Sequence, residues 1–140
     1  MLNVTVDRGS WLSGHLGRDL ESTLLDKQGN MCCLGFACIA AGISKNVLLK
    51  QATPAALCIN TSTKMPETLS RLLQYSAGLP LPSNSNITWE LMDYNDHVDL
   101  DTDARENGIK VVGREAGIQF KFTGTYRTAH DMYFDEHEDL

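Results

Sequence analysis

The sequence predicts an α+β fold: a small antiparallel sheet with a β-hairpin, packed against several short helices in a single compact domain. Three observations carry this. Asp26, Gly29 and Asn30 stand between the apolar pair Leu24 and Leu25 and the run that begins at Met31, which is the composition of a hairpin turn between two short strands. Residues 34–41 are apolar on almost every side and stop at Gly42, the pattern of a buried helix ending in a left-handed cap. Residues 118–122 alternate apolar and polar with period two and run out at Gly124, the pattern of a strand with one buried face.

The other elements follow in order. Val4 and Val6 among polar neighbours suit a short strand or the entry to a first helix, and the glycine-rich stretch from Ser13 suits a loop. Ser44 caps a second helix running to about Gln51, and Pro54 interrupts the chain or restarts it as a short helix through Cys58. Pro66, with Leu69, Leu72 and Leu73 at helical spacing and Gly78 beyond, marks an amphipathic helix. Residues 79–86 hold two prolines and read as an extended surface loop. Thr88 caps a helix through Trp89 and Leu91, with a turn at Asn95, Asp96 and His97. Thr102 opens a further helix that stops at Gly117, with Gly108 and Gly113 as weak points. Residues 1–130 form the domain, and residues 131–140 form an acidic tail.

The 140 residues carry 12 Lys and Arg against 18 Asp and Glu, a formal charge of -6. The charges are segregated. Residues 90–106 hold seven acids and only Arg105, residues 107–130 hold four bases and only Glu115, and the tail from Asp131 adds five acids. An acidic whole argues against sequence-independent attraction to nucleic acid or anionic lipid. No apolar stretch approaches membrane-spanning length, and the opening residues lack a secretory signal, so the expected compartment is the cytoplasm.

Cys32, Cys33 and Cys38 lie in an apolar run, and free thiols packed in a core are the expectation there. No CxxC or HxxxH spacing supports a metal, and no cofactor fingerprint of the GxGxxG or GxxxxGK[ST] type occurs, so neither metal nor cofactor is expected. Asp99, Asp101 and Asp103 begin like a calcium loop, but Ala104 and Lys110 stand where that loop needs Gly and Glu. From Ala37 to Gln51 the chain resembles a helix-turn-helix, with Lys45, Asn46, Lys50 and Gln51 on the second helix. Three classes therefore stay open. One is a binding protein, a second is an enzyme using Cys32 and Cys33 or the acidic segment from Asp93 to Asp103, and a third is a DNA-binding regulator.

Arg8-Gly9, the LxxxxGxxCCLG block from Leu24 to Gly35, and the later Asn95-Asp96 before an acidic helix start resemble a family of small proteins encoded by tailed bacteriophages and prophages. The resemblance spans residues 8–120 loosely, and the CCLG block is its specific part. The section from Ala52 to Asn86 lacks the family's tryptophan-containing stretch, and the tail beyond Gly124 is extra. The family has no established activity. The resemblance therefore implies a genetic context: an accessory protein that works in the host cytoplasm by binding, through counter-defence or host takeover, either sequestering a nucleotide signal or blocking a host protein. Candidate ligand or partner contacts are Arg8, Trp11, Asn95, Asp96, Asp99 and Asp101. An exposed strand from Gln119 to Phe122 would also let two copies pair as a homodimer.

Overall fold

The computed structural model describes residues 1–16, 23–69 and 87–128. Two strands, β1 (Leu2–Asp7) and β2 (Ile118–Thr123), lie side by side at opposite ends of the described chain. They are parallel, in the register Leu2 to Ile118, Val4 to Phe120 and Val6 to Phe122. Between them come α1 (Cys33–Ala40), α2 (Lys45–Leu48), α3 (Pro54–Thr61), α4 (Ile87–Asp96) and α5 (Thr102–Glu115).

This corrects the expected antiparallel sheet with a β-hairpin. The turn at residues 26–30 does form: the Asp26 carboxylate accepts from the amides of Gln28 at 2.9 Å and Asn30 at 2.8 Å. Beyond the turn its arms share one backbone bond, from the Cys32 amide to the Thr23 carbonyl at 3.3 Å, but no strand ladder follows among the described residues. Met31 bridges to Trp11 and Leu25 bridges to Leu49, both in parallel, so each arm finds a partner elsewhere in the chain. Turn chemistry is local, whereas the choice of strand partner depends on distant residues.

Both strands bury one face only. Val4, Val6, Ile118, Phe120 and Phe122 point into the core, while Asn3, Thr5, Gln119 and Lys121 are exposed. A parallel sheet is usually covered on both faces; here the period-two polar residues keep the outer face wet. The inner face is covered by α1 against β1 and by α5 against β2.

The helix starts explain the rest. Ser44 and Thr53 cap α2 and α3 by accepting from Asn46 and Ala56, and Pro54 takes the first turn of α3. Helix α2 stops after one turn because Leu49 leaves to meet Leu25 and Lys50 turns to φ 64°. That is too short for the recognition helix the residues around Ser44 suggested, so the helix-turn-helix reading fails. Asp101, one residue before Thr102, is the residue that caps α5, accepting from Ala104 at 2.7 Å.

Helix α4 begins at Ile87 and runs through Asp96, so Thr88 lies inside it, and the expected turn at Asn95 and Asp96 is helical. Gly108 and Gly113 do not break α5. A Cβ on Gly108 would strike the Tyr94 ring and one on Gly113 the Phe120 ring, so the two glycines let α5 approach α4 and β2 closely. Past Pro66 the described chain shows a single 3-10 turn at residues 67–69. The rest of the helix expected there, the loop at residues 79–86 and the acidic tail lie outside the described residues.

Candidate functional site

Two places gather the side chains able to do chemistry or bind: a buried junction around Asn95, and a cleft between α5 and the outer edge of β2.

The junction is built on Asn95, which is 1% exposed. Its Oδ1 accepts from the Trp11 indole at 2.8 Å and from the Cys33 amide at 3.0 Å. Its Nδ2 donates to the Leu12 carbonyl at 2.8 Å and to Asp96 at 2.9 Å. Cys32 sits at the N-cap of α1 and makes no side-chain cap bond, so the first helical amide is answered from α4 instead. One amide side chain thus ties α4 to the segment after β1 and to the start of α1. Arg105, fully buried, donates to the carbonyls of Tyr94, Asn95 and Leu100 and holds the C-terminal end of α4. Arg105 Nε and Thr23 Oγ1 are the buried side-chain polar atoms left without a partner among the described residues.

Beside Asn95 lies an ionic cluster. Arg8 grips Glu106 with two bonds, Nε to Oε2 at 2.9 Å and Nη2 to Oε1 at 2.7 Å. The Tyr126 hydroxyl donates to the same carboxylate, and the Arg8 guanidinium lies 5.5 Å from the Tyr126 ring centre. Burial pushes the Glu106 carboxyl up, but the bonds from Arg8 and Tyr126 prevail and hold it below its ordinary value. Burial and Glu106 together raise the Tyr126 phenol. His15 bonds to Ser13 through Nδ1 and to the Arg127 carbonyl through Nε2, which assigns the ring proton to Nε2. Burial, aided by the nearby charge of Arg105, lowers its pKa despite that carbonyl. Ser13 is 1% exposed, while His15 is half-buried.

Arg8, Trp11 and Asn95, named from the sequence as contacts for a ligand, are therefore brought together, but as internal braces. Asp96 joins them through the Asn95 amide. Asp99 is exposed in the turn after α4, and Asp101 is occupied in capping α5. Among the described residues no group of three or more His, Cys, Asp or Glu could hold a metal ion. The thiols likewise turn inward: Cys32, Cys33 and Cys38 are buried. Burial pushes Cys32 up to about 11 and Cys38 up to about 12, and drives Cys33 well above its ordinary value. A nucleophilic thiol needs the opposite shift.

The α5–β2 cleft has other chemistry. It is an open recess of about 360 Å³ lined by Lys110, Arg114, Gln119, Phe120, Lys121 and Phe122. The Lys110 ammonium lies 5.8 Å from the centre of the Phe122 ring, and Arg114 Nε donates to the Lys110 carbonyl at 3.3 Å. Among the described residues no carboxylate forms an ion pair with Lys110, Arg114 or Lys121. Three cations are thus grouped on a chain whose net charge is -6. The sequence held a signal for them in the four bases of residues 107–130, in Lys110 and Arg114 one helical turn apart, and in Lys121 at an outward strand position. A second recess, about 400 Å³, lies between the turn at residues 26–30 and α2, with Asp26, Lys27 and Lys45 in its lining.

Among the described residues no helix is long and apolar enough to cross a membrane. The chain matches no protein-family model, no curated protein and no solved structure.

Proposed function

We propose that this chain is a phage-encoded accessory protein that acts by binding in the host cytoplasm, blocking a host protein through contact with an acidic part of its surface. The single observation that carries the reading is the α5–β2 cleft, where Lys110, Arg114 and Lys121 converge on an acidic molecule, none in an ion pair with a carboxylate among the described residues. A local reversal of sign steers and orients an oppositely charged partner. Catalysis is the weaker reading, because Cys32, Cys33 and Cys38 are buried with raised thiol pKa values, Ser13 of the Ser13–His15 pair is buried and the ionic cluster is internally satisfied. A protein surface suits the cleft better than a nucleotide, since the buried rings of Phe120 and Phe122 offer a base little face to stack on.

The test is affinity capture from lysate of infected host cells, with mass spectrometry of bound proteins and of released small molecules. The native chain is compared with the double variant Lys110→Glu, Lys121→Glu. An acidic host protein retained by the native chain and lost from the variant supports the reading. A blank in both channels, or a catch indifferent to the charge reversal, overturns it; a nucleotide in the second channel replaces blockade with sequestration.

A further inference from the structure

We infer that the free edge of β2 takes up an extended acidic segment of the partner protein, which adds as a third strand and is held by Lys110, Arg114 and Lys121. This rests on the binding reading above and names the form the partner takes.

Among the described residues β2 pairs with β1 alone, so its other edge carries unpaired backbone groups. The Leu2 amide donates to the Gly117 carbonyl at 3.0 Å. In a parallel ladder, alternation from that bond gives the odd-numbered residues of β2 to β1 and turns the amides and carbonyls of Phe120 and Phe122 to the outer edge. The cleft sits at that edge, because both residues line it. An unsatisfied edge of this kind is a template for an incoming strand.

Charge selects which strand. Lys110 and Arg114 rise from α5 on the core side of the edge, and Lys121 stands on the outer face, so cations bracket the incoming backbone from both sides. A strand with acids on alternate and opposite faces meets both sets. A second copy of this chain meets neither. Antiparallel pairing of two β2 strands about Phe120 would set each Lys121 opposite Gln119 and crowd both sets of cations along one seam, where like charges oppose pairing. Residues 124–127 lead elsewhere: Gly124 accepts from Arg8, Tyr126 packs on Trp11 and His15, and the Arg127 carbonyl accepts from His15. That path crosses to the β1 side, away from the free edge.

The experiment is fluorescence anisotropy on the full chain with three labelled ten-residue peptides. One alternates pairs of Glu with pairs of Val, so that carboxylates stand on both faces, one alternates pairs of Lys with pairs of Val, and one keeps the glutamates but carries Pro at every valine, which removes strand hydrogen bonds along either edge at equal charge. The expected result is binding of the first peptide alone, weakened at least tenfold by Lys110→Glu, Lys121→Glu while the melting temperature of the variant stays near that of the native chain. Equal binding of the proline peptide means charge attraction without strand addition and overturns the inference. So does displacement of the first peptide by equimolar inorganic phosphate, and so does retention of binding by the double variant. If the peptide fails while charge-dependent capture of a host protein succeeds, strand addition falls and the binding function stands. If capture is blank, the function itself falls.

Discussion

At the Asn95 junction polar groups are drawn from β1's exit, α1, α4 and α5, and nearly every one is answered from within: the Trp11 indole, the Cys33 amide, the Leu12 carbonyl, and the paired Arg8 and Glu106. At the α5–β2 cleft Lys110, Arg114 and Lys121 come from adjoining elements and none forms an ion pair with a carboxylate among the described residues. The junction is enclosed, so an unanswered group there carries a full desolvation cost; the cleft is wet, so its cations persist unpaired at little cost. Buried polarity in this chain holds the fold together, and exposed polarity is what remains for a partner.

The largest break in that comparison is Asn95→Leu. It orphans the Trp11 indole, the Cys33 amide and the Leu12 carbonyl in one step. At about 1–3 kcal/mol for each stranded group, partly relieved by relaxation, a loss of about 3–5 kcal/mol is expected. Urea denaturation measures it, and a loss below about 1 kcal/mol would show that Asn95 is not the tie described here. Lys121→Ala, by contrast, should shift stability by less than about 0.5 kcal/mol.

A middle-sized effect comes from the ionic cluster. Glu106→Gln leaves Arg8 without its charge partner inside a half-buried site and should cost about 1–3 kcal/mol near neutral pH. The pH dependence has a definite sign. Glu106 titrates in the fold below its ordinary 4.5, so its contribution is present above that pH and is lost as pH falls through the folded value. His15 titrates below its ordinary 6.5, so the unfolded chain takes up that proton first and stability begins to fall as pH drops below about 6.5. Denaturation midpoints across the acid range should therefore decline in two stages, and Glu106→Gln should remove the lower one. A variant with an unchanged lower stage would place that proton elsewhere.

The smallest effect concerns the thiols. Cys58 is partly exposed while the other three cysteines are buried. Native protein treated with a thiol reagent should label rapidly at one site, and the remaining three should react only on unfolding. Cys58→Ser should abolish the rapid phase and leave stability within about 0.5 kcal/mol. Rapid labelling of Cys32 or Cys33 would reopen thiol chemistry at the CCLG block.

Much of the local structure was legible because its causes are local. The buried helix before Gly42, the cap at Ser44, the helix restarting at Pro54 and the alternation of residues 118–122 each depend on neighbours within a few positions. The start of α1 was harder to read, since Cys32 is not a capping residue and its substitute, Asn95, lies 62 residues beyond the amide it serves. The same distance separated the candidate site residues from their roles. Arg8, Trp11 and Asn95, named from the sequence as ligand contacts, are tied instead to internal partners, and their link to Glu106 and Tyr126 spans distances that no local pattern marks.

By itself the sequence determined the buried helix before Gly42, the helix that stops at Gly117 and the strand at residues 118–122, that Cys32, Cys33 and Cys38 enter the core and that the chain is acidic overall, because propensity, periodicity and composition act over short range. Tertiary structure alone decided that β1 pairs in parallel with β2 across most of the chain, that no hairpin ladder forms among the described residues, that Asn95 answers a distant helix end, and that three scattered cations meet along one recess beside β2. These outcomes follow from contacts between residues far apart in sequence, and one chain read in order carries no record of which distant surfaces will meet.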